Sequence, residues 1–344
     1  SFKKKTRTYS SMERVLSLLQ TDLIEPYQSQ GVQWMLRREL EPLELFEEAM
    51  PKGGIVADEV GLGKTILSIS VMLGNPVPKT LVILPKSLVC QWEAQIMQFA
   101  PTLNVHVIYG MRSVVIEEDG IYLISQSMLN CRNRTVGQSP VHEVHWDRVF
   151  IDEAHLLRNS KSKIFEACCM LNADIHWALT ATPVMNRMMD FVNIMKWIGV
   201  SKFLCQGEKE AITKHFILRR TKEDVIMHNS TLNMTRCHVQ VKYLPFASVA
   251  EAEFYIKVFN TERKKIKNAG NNSTTDLLEH LLRVRQLCIH PQLYLDGMAR
   301  KKNESFGEWD HGSTKVNALL DAIRSQPKDD KTLIFCQFVK EMDI

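Results

Sequence analysis

The chain has 344 residues, 45% hydrophobic and 24% charged, a balance that supports about two compact domains. It excludes a largely disordered chain, a collagen-like repeat and a small disulfide-stapled module, and no apolar run approaches the roughly 18 residues a membrane-spanning helix needs. Lysine and arginine total 43 against 39 aspartate and glutamate, so a net charge of +4 permits an anionic partner such as nucleic acid without requiring one.

The start, Ser1 to Arg7, carries Lys3, Lys4 and Lys5 with no apolar segment behind them, so it is no secretory signal. Residues 1–20 are expected as a flexible, solvated basic arm, with weak phosphate binding as the sharper option. From Gly53 to Trp197, short apolar runs alternate with helical patterns. Strands are predicted at 54–57, 80–84, 105–108, 121–124, 148–151 and 177–179, with helices over 64–72 and 88–99. The strands are mostly apolar throughout, as strands buried on both faces are, so residues 21–205 read as an α/β lobe with a central parallel sheet.

Past residue 205 the texture changes, and 206–325 reads as a helical extension and inter-lobe linker. Helices are expected at Glu251–Lys267 and Asp276–Ile289, separated by a polar loop over 268–273. Residues 331–338 read as a strand opening a further unit over 326–344, which, with the missing initiator methionine, reads as the mark of a fragment. The eight cysteines form no CxxC pair, which fits reduced thiols in an intracellular compartment, and Cys168 and Cys169 read as core. His142-Glu143-Val144-His145 is one residue short of the HExxH zinc spacing and reads as a surface turn. Trp92 and Trp177 read as sheet packing.

The most informative segment runs from Gly53 through Gly61, Gly63, Lys64 and Thr65: a buried strand, a glycine-containing turn, then a helix. Such a turn lets backbone N–H groups close round a phosphate at the positive end of the helix. Lys64 would reach the β/γ-phosphates and the Thr65 hydroxyl would bind magnesium. The strict loop pattern fails at its first position, where Asp58 replaces glycine. A second strand ends at Asp152-Glu153-Ala154-His155, placing adjacent carboxylates where an open α/β sheet binds ligands. Asp152 would hold the nucleotide's magnesium and Glu153 would orient and deprotonate the attacking water, unless the pair simply caps the next helix. Together the two segments point to an ATPase.

These residues resemble a known family. Asp58 to Thr65 is similar to the DEMGLGKT loop of Swi/Snf-type ATPases within the superfamily-2 helicases, which also accounts for Asp58, and Asp152 to His155 matches the DEAH box. Pro26 to Met35 is similar to the family's adenine-recognising segment, which would put Gln28 on the base; Lys86-Ser87 and Ser125-Gln126 fall at motifs Ia and Ib. Leu179 to Pro183, with Asn186, resembles motif III with Ala181 in place of glycine, and implies that Thr180 and Thr182 couple hydrolysis to lobe movement, with His155. Residues 216–222 and 285–291 resemble two inter-lobe stretches, and 331–338 resembles motif IV.

The resemblance implies a RecA-like lobe, a helical extension and the start of a second RecA-like lobe, using ATP and magnesium to move along double-stranded DNA. The load would be chromatin or another DNA-bound protein, in the nucleus or a viral replication compartment. Lys86, Ser87, Ser125, Arg219 and Arg220 are the candidate contacts to the DNA backbone, which carry no sequence information; the arginine pair alternatively caps acidic residues. The family's second-lobe arginine, worth roughly 10³–10⁵ in rate in related hydrolases, is not among these residues, so slow turnover by residues 1–344 alone is expected. A strand-separating helicase and a nucleotide-gated, non-catalytic binding module are the alternatives.

Overall fold

Alternation along buried strands builds the first of two units into which the computed structural model divides, residues 1–235 and 236–344. The structure describes residues 2–109, 116–129, 140–182, 188–228, 238–268, 274–304 and 306–343. In the first unit, β1 (Glu44–Leu45) and β2 (Glu48–Ala49) form a short antiparallel hairpin. The remaining strands are β3 (Lys52–Val56), β4 (Lys79–Leu84), β5 (Val105–Ile108), β6 (Gly120–Ser125), β7 (His145–Asp152), β8 (Asn172–Leu179) and β9 (Ile217–Leu218). They make one seven-stranded sheet in the order β5-β6-β4-β7-β8-β3-β9. All of its pairings are parallel.

Successive side chains of a strand point to opposite faces, and here both faces are covered. Leu81, Ile83, Val149 and Ile151 join one core, while Val82, Leu84, Phe150 and Leu179 join the other. The second core is closed by α1 (Phe2–Leu18), α2 (Tyr27–Leu40), α3 (Lys64–Gly74) and α4 (Val89–Phe99), through residues such as Val15, Met35, Leu67 and Trp92. After α5 (Gln126–Leu129), the first core is closed by α6 (Lys163–Cys169), α7 (Met188–Ile198), α8 (Lys202–Gly207) and α9 (Lys209–Phe216), and α10 (Lys222–His228) follows.

A buried ion pair crosses this layer. The Glu39 carboxylate on α2 accepts from Arg148 Nε on β7 at 2.7 Å, Trp177 Nε1 on β8 at 2.8 Å and Asn75 Nδ2 at 2.7 Å. With its lone pairs occupied, the charge is tolerated in an apolar interior.

The second unit contains α11 (Val249–Asn268), α12 (Thr274–Ile289), α13 (Pro291–Lys302) and α14 (Thr314–Arg324). Val258, Leu287 and Tyr294 form its small core, and buried Glu262 accepts from Lys265 at 2.8 Å and pairs with His280 at 2.7 Å.

Four sequence expectations change. The expected flexible arm is helical over Phe2–Leu18, because Met12 and Val15 pack into the core beneath α3. The sheet gains β9 from beyond residue 205, since Ile217 and Leu218 pair with Ile55 and Val56. Residues 331–336 form no strand and stay exposed, Phe335 at 88%, having no backbone ladder to join. Cys168 is buried as expected, but Cys169 is exposed at the end of α6. Of the predicted loop, Asn268 closes α11 and residues 269–273 lie outside the described residues.

Candidate active site

Strand register collects the candidate residues along one edge of the sheet. Val56 pairs with Leu179, Leu179 with Asp152, Ile83 with Ile151, and Leu84 with Ser125. The loop after β3, the carboxylates ending β7, Thr180 after β8, Lys86 and Ser87 after β4, and Ser125 ending β6 therefore share the carboxyl edge, where open parallel sheets bind ligands.

The loop after β3 turns through two glycines in the left-handed region, Gly61 at φ 90° and Gly63 at φ 86°. At Gly63 a Cβ would also lie 2.7 Å from Gln28 Nε2 and 3.0 Å from Ile66 Cγ2, so glycine is required by conformation and by space. Gln28 is buried beside this turn, its Oε1 accepting from Ile24 N at 2.8 Å and its Nε2 donating to Tyr27 Oη at 3.1 Å. Lys64 opens α3, and its ammonium donates to the carbonyls of Asp58 at 2.7 Å and Glu59 at 3.4 Å. Burial pushes the Lys64 pKa down, while Asp58, Asp152, Glu153 and Glu59 all act to raise it. Thr65 follows, half-buried in the first turn of the helix.

Asp152 ends β7 with only 8% exposure. Its Oδ2 accepts from the buried Trp92 indole at 2.9 Å and its Oδ1 from Glu153 N at 2.9 Å. Burial raises its pKa, and these two donors oppose the rise. Gln126 Nε2 donates to the Asp152 carbonyl at 3.2 Å, so α5 buttresses the same turn. Glu153 adopts φ 53°, ψ 48°, a left-handed backbone uncommon outside glycine, and such strain gathers at functional sites. Its Oε2 lies 3.0 Å from His155 Nδ1, both side chains partly open to solvent.

Asp58 is fully buried and meets Arg220: the guanidinium Nε donates to Oδ1 at 3.0 Å, Nη2 donates to Oδ2, and the Arg220 backbone N reaches Oδ1 at 3.0 Å. Of the two roles open to Arg220, DNA contact or cap of an acidic residue, its guanidinium is engaged in the second. Arg219 is exposed, with a 3.4 Å bond to the Ala181 carbonyl. Lys86 and Ser87 are exposed in a short 3₁₀ turn after β4. Ser125 is buried, its hydroxyl 3.1 Å from that of Ser127. Thr180 is buried; its N donates to Val56 O at 3.1 Å and its hydroxyl accepts from Thr182 N at 3.2 Å. Pro183 and Asn186 lie outside the described residues.

The charge balance fits a magnesium-bound polyphosphate. With Asp58 matched by Arg220, the carboxylates of Glu59, Asp152 and Glu153 still outnumber Lys64, which disfavours a bare polyanion and favours one carrying a divalent cation. Among the described residues no group of three or more His, Cys, Asp or Glu could hold a metal ion by itself. Magnesium that arrives with phosphates needs only one or two protein oxygens, and Thr65 and Asp152 are the ones that would supply them. The HEVH stretch is no such group either: His142 meets the Ala167 carbonyl at 2.8 Å and His145 meets Asp174 at 3.3 Å.

The sheet, its glycine loop and the acidic strand end define a P-loop nucleotide-binding lobe of the RecA-like kind. Residues 27–208, just over half of the chain, match the SNF2-related domain, and the chain belongs to that family. It is similar to the probable global transactivator of Orgyia pseudotsugata multicapsid polyhedrosis virus, at 26% identity over 92% of this chain and 66% of that protein. The DNA repair protein rad8 of Schizosaccharomyces pombe is 28% identical over 80% of this chain and 30% of its own length. The SWI2/SNF2 ATPase core of Sulfolobus solfataricus, solved in complex with double-stranded DNA, has a TM-score of 0.52 and 28% identity, covering 89% of this chain and 65% of that one. The chain thus spans between 30% and 66% of the length of these relatives.

Proposed function

We propose that the chain is the ATP-binding lobe, with its adjoining helical unit, of an ATP-dependent motor that moves along double-stranded DNA. The observation that carries this reading is the single row at the carboxyl edge of the sheet: Lys64 and Thr65 beyond β3, and Asp152 and Glu153 at the end of β7. Lys64 neutralises phosphate, Thr65 and Asp152 hold the magnesium that travels with ATP, and Glu153 orients the attacking water and accepts its proton. When bound, magnesium supplies charge neutralisation at the transferred phosphoryl group. Gln28 reads the base, and Thr180, Thr182 and His155 pass the state of the nucleotide on to the rest of the motor.

Lys86, Ser87 and Arg219 offer exposed donors to a DNA backbone, in line with the double-stranded DNA bound by the Sulfolobus core. The biological load is chromatin or another DNA-bound protein, in the nucleus or a viral replication compartment. No described helix is long and apolar enough to cross a membrane. Residues 1–344 alone turn ATP over slowly, because the family's arginine-bearing second-lobe motifs are not among them. The test is ATP turnover, with and without duplex DNA, by a polypeptide that carries both lobes. DNA-stimulated turnover is expected, and Glu153→Gln is expected to remove it while leaving ATP bound. Stimulated turnover that survives Glu153→Gln would overturn the assignment.

A further inference from the structure

Asp58 occupies the position at which a strict phosphate loop carries glycine, and its carboxylate is wholly buried against one partner. Arg220 grips both of its oxygens, and the remaining arm of the guanidinium, Nη1, donates to the carbonyl of Tyr27, next to Gln28. Its plane lies over the Tyr27 ring, 5.2 Å from the centroid. Only a planar fork reaches a carboxylate bidentately and a carbonyl at once; a lysine ammonium does not. The second turn of α2 makes room for it, since a Cβ on Gly31 would stand 2.8 Å from Nη2 and 3.1 Å from Nη1.

The backbone reinforces the same junction. Ala57 N donates to Leu218 O at 2.7 Å, Glu59 N to Arg220 O at 3.0 Å, and Lys222 N to the Glu59 carboxylate at 2.8 Å. The first half of the phosphate loop is therefore fastened on one side to residues 218–222 and, through a single guanidinium, to the start of α2. With its charge matched by Asp58 and its side chain only 14% exposed, Arg220 is poorly placed to grip a DNA phosphate.

We propose that Arg220 is a positioning residue of the nucleotide site: by joining Asp58 on the phosphate loop to Tyr27 beside Gln28, it holds the base-reading and phosphate-reading ends in one register. This rests on the nucleotide-site reading above. The pairing also explains the departure from the strict loop pattern, because a glycine at position 58 would leave the guanidinium without its anion.

The test measures equilibrium binding of a fluorescent ATP analogue with magnesium, its displacement by tripolyphosphate, and binding of a fluorescent DNA duplex. Wild type, Arg220→Met, Gly31→Ala and Lys64→Ala of the full chain are compared. Arg220→Met is expected to weaken ATP binding about tenfold, to weaken tripolyphosphate binding much less, and to leave duplex affinity within about twofold. Gly31→Ala crowds the guanidinium without removing any charge, so it should shift ATP affinity the same way. It also serves where Arg220→Met fails to fold.

A purely structural role for Arg220 would weaken both phosphate ligands alike, and that result would overturn the proposal. So would ATP affinity unchanged in both Arg220→Met and Gly31→Ala while Lys64→Ala abolishes it, which refutes the coupling alone. ATP binding untouched by Lys64→Ala would refute the site and the coupling together. Duplex affinity lost in Arg220→Met with ATP binding intact would make Arg220 a DNA contact.

Discussion

Replacing Trp92 by phenylalanine removes the indole N–H from the site while keeping an aromatic, if smaller, ring in the core. The indole N–H donates to Asp152 Oδ2 at 2.9 Å, with Trp92 at 1% and Asp152 at 8% exposure. A hydrogen bond to a charged acceptor contributes about 1.5–3 kcal/mol, and a buried oxygen left without a donor keeps its desolvation cost. The other oxygen retains Glu153 N at 2.9 Å, so the carboxylate stays in place but is held at one point instead of two. At about 1.4 kcal/mol per tenfold, magnesium-dependent affinity should fall by about 10–100-fold, as for other groups that orient a metal ligand. The assay is titration of a fluorescent ATP analogue, once in excess magnesium and once in EDTA. Trp92→Phe should lower the ratio of the two affinities and leave the EDTA value unchanged. An unchanged ratio, or equal losses in both media, would refute the orienting role of the indole.

Gly63→Ala meets a left-handed backbone at φ 86° and a contact 2.7 Å from Gln28 Nε2, so ATP affinity should drop at least about tenfold, read in the same titration. Arg148→Met leaves the buried Glu39 carboxyl without its cation and with only Trp177 and Asn75 as donors, which should cost about 3 kcal/mol of stability in urea unfolding; a loss below about 1 kcal/mol would contradict the buried pair. His176, against Trp197, has its pKa pushed down to about 4 by burial, with Asp174 opposing. Its folded pKa lies below an unfolded value of about 6.5, so its stabilisation is complete above that value and is lost as pH falls towards 4. The first unit should therefore lose up to about 3 kcal/mol between pH 7 and pH 4 from this group, a dependence that His176→Leu should flatten in unfolding measured across that range.

The strands and both nucleotide segments are legible in sequence because each carries a strong local pattern: β4, β6 and β7 are apolar runs, and Gly61, Gly63 and Lys64 sit at fixed spacing. What escaped depends on partners distant in the chain. Ile217 and Leu218 make a strand only because β3 offers a free ladder, and two residues carry no period. The α1 helix looks like a basic arm until Met12 and Val15 find the core beneath α3. Trp92 reads as packing, and its indole bond to Asp152 spans 60 residues, although a buried Trp N–H usually finds an acceptor. The Asp58–Arg220 pair spans 162 residues, and the only local hint was the misfit at position 58. Conversely, residues 331–338 carry a strand pattern but pair with no described strand, so propensity alone does not make them one.

The short β9 strand separates the family-matched stretch from the folding unit. The family match stops at residue 208, yet β3, which delivers the phosphate loop, is an interior strand only because Ile217 and Leu218 lie against it. A fragment cut to the matched borders would turn that strand into a bare edge, with its Ala57 N–H orphaned and a template for aggregation exposed beside the loop. It would also shed the helix that brings Val15 to the opposite end of the same core. Expression boundaries for this lobe should follow the ladder, from α1 through α10, and not the extent of sequence kinship.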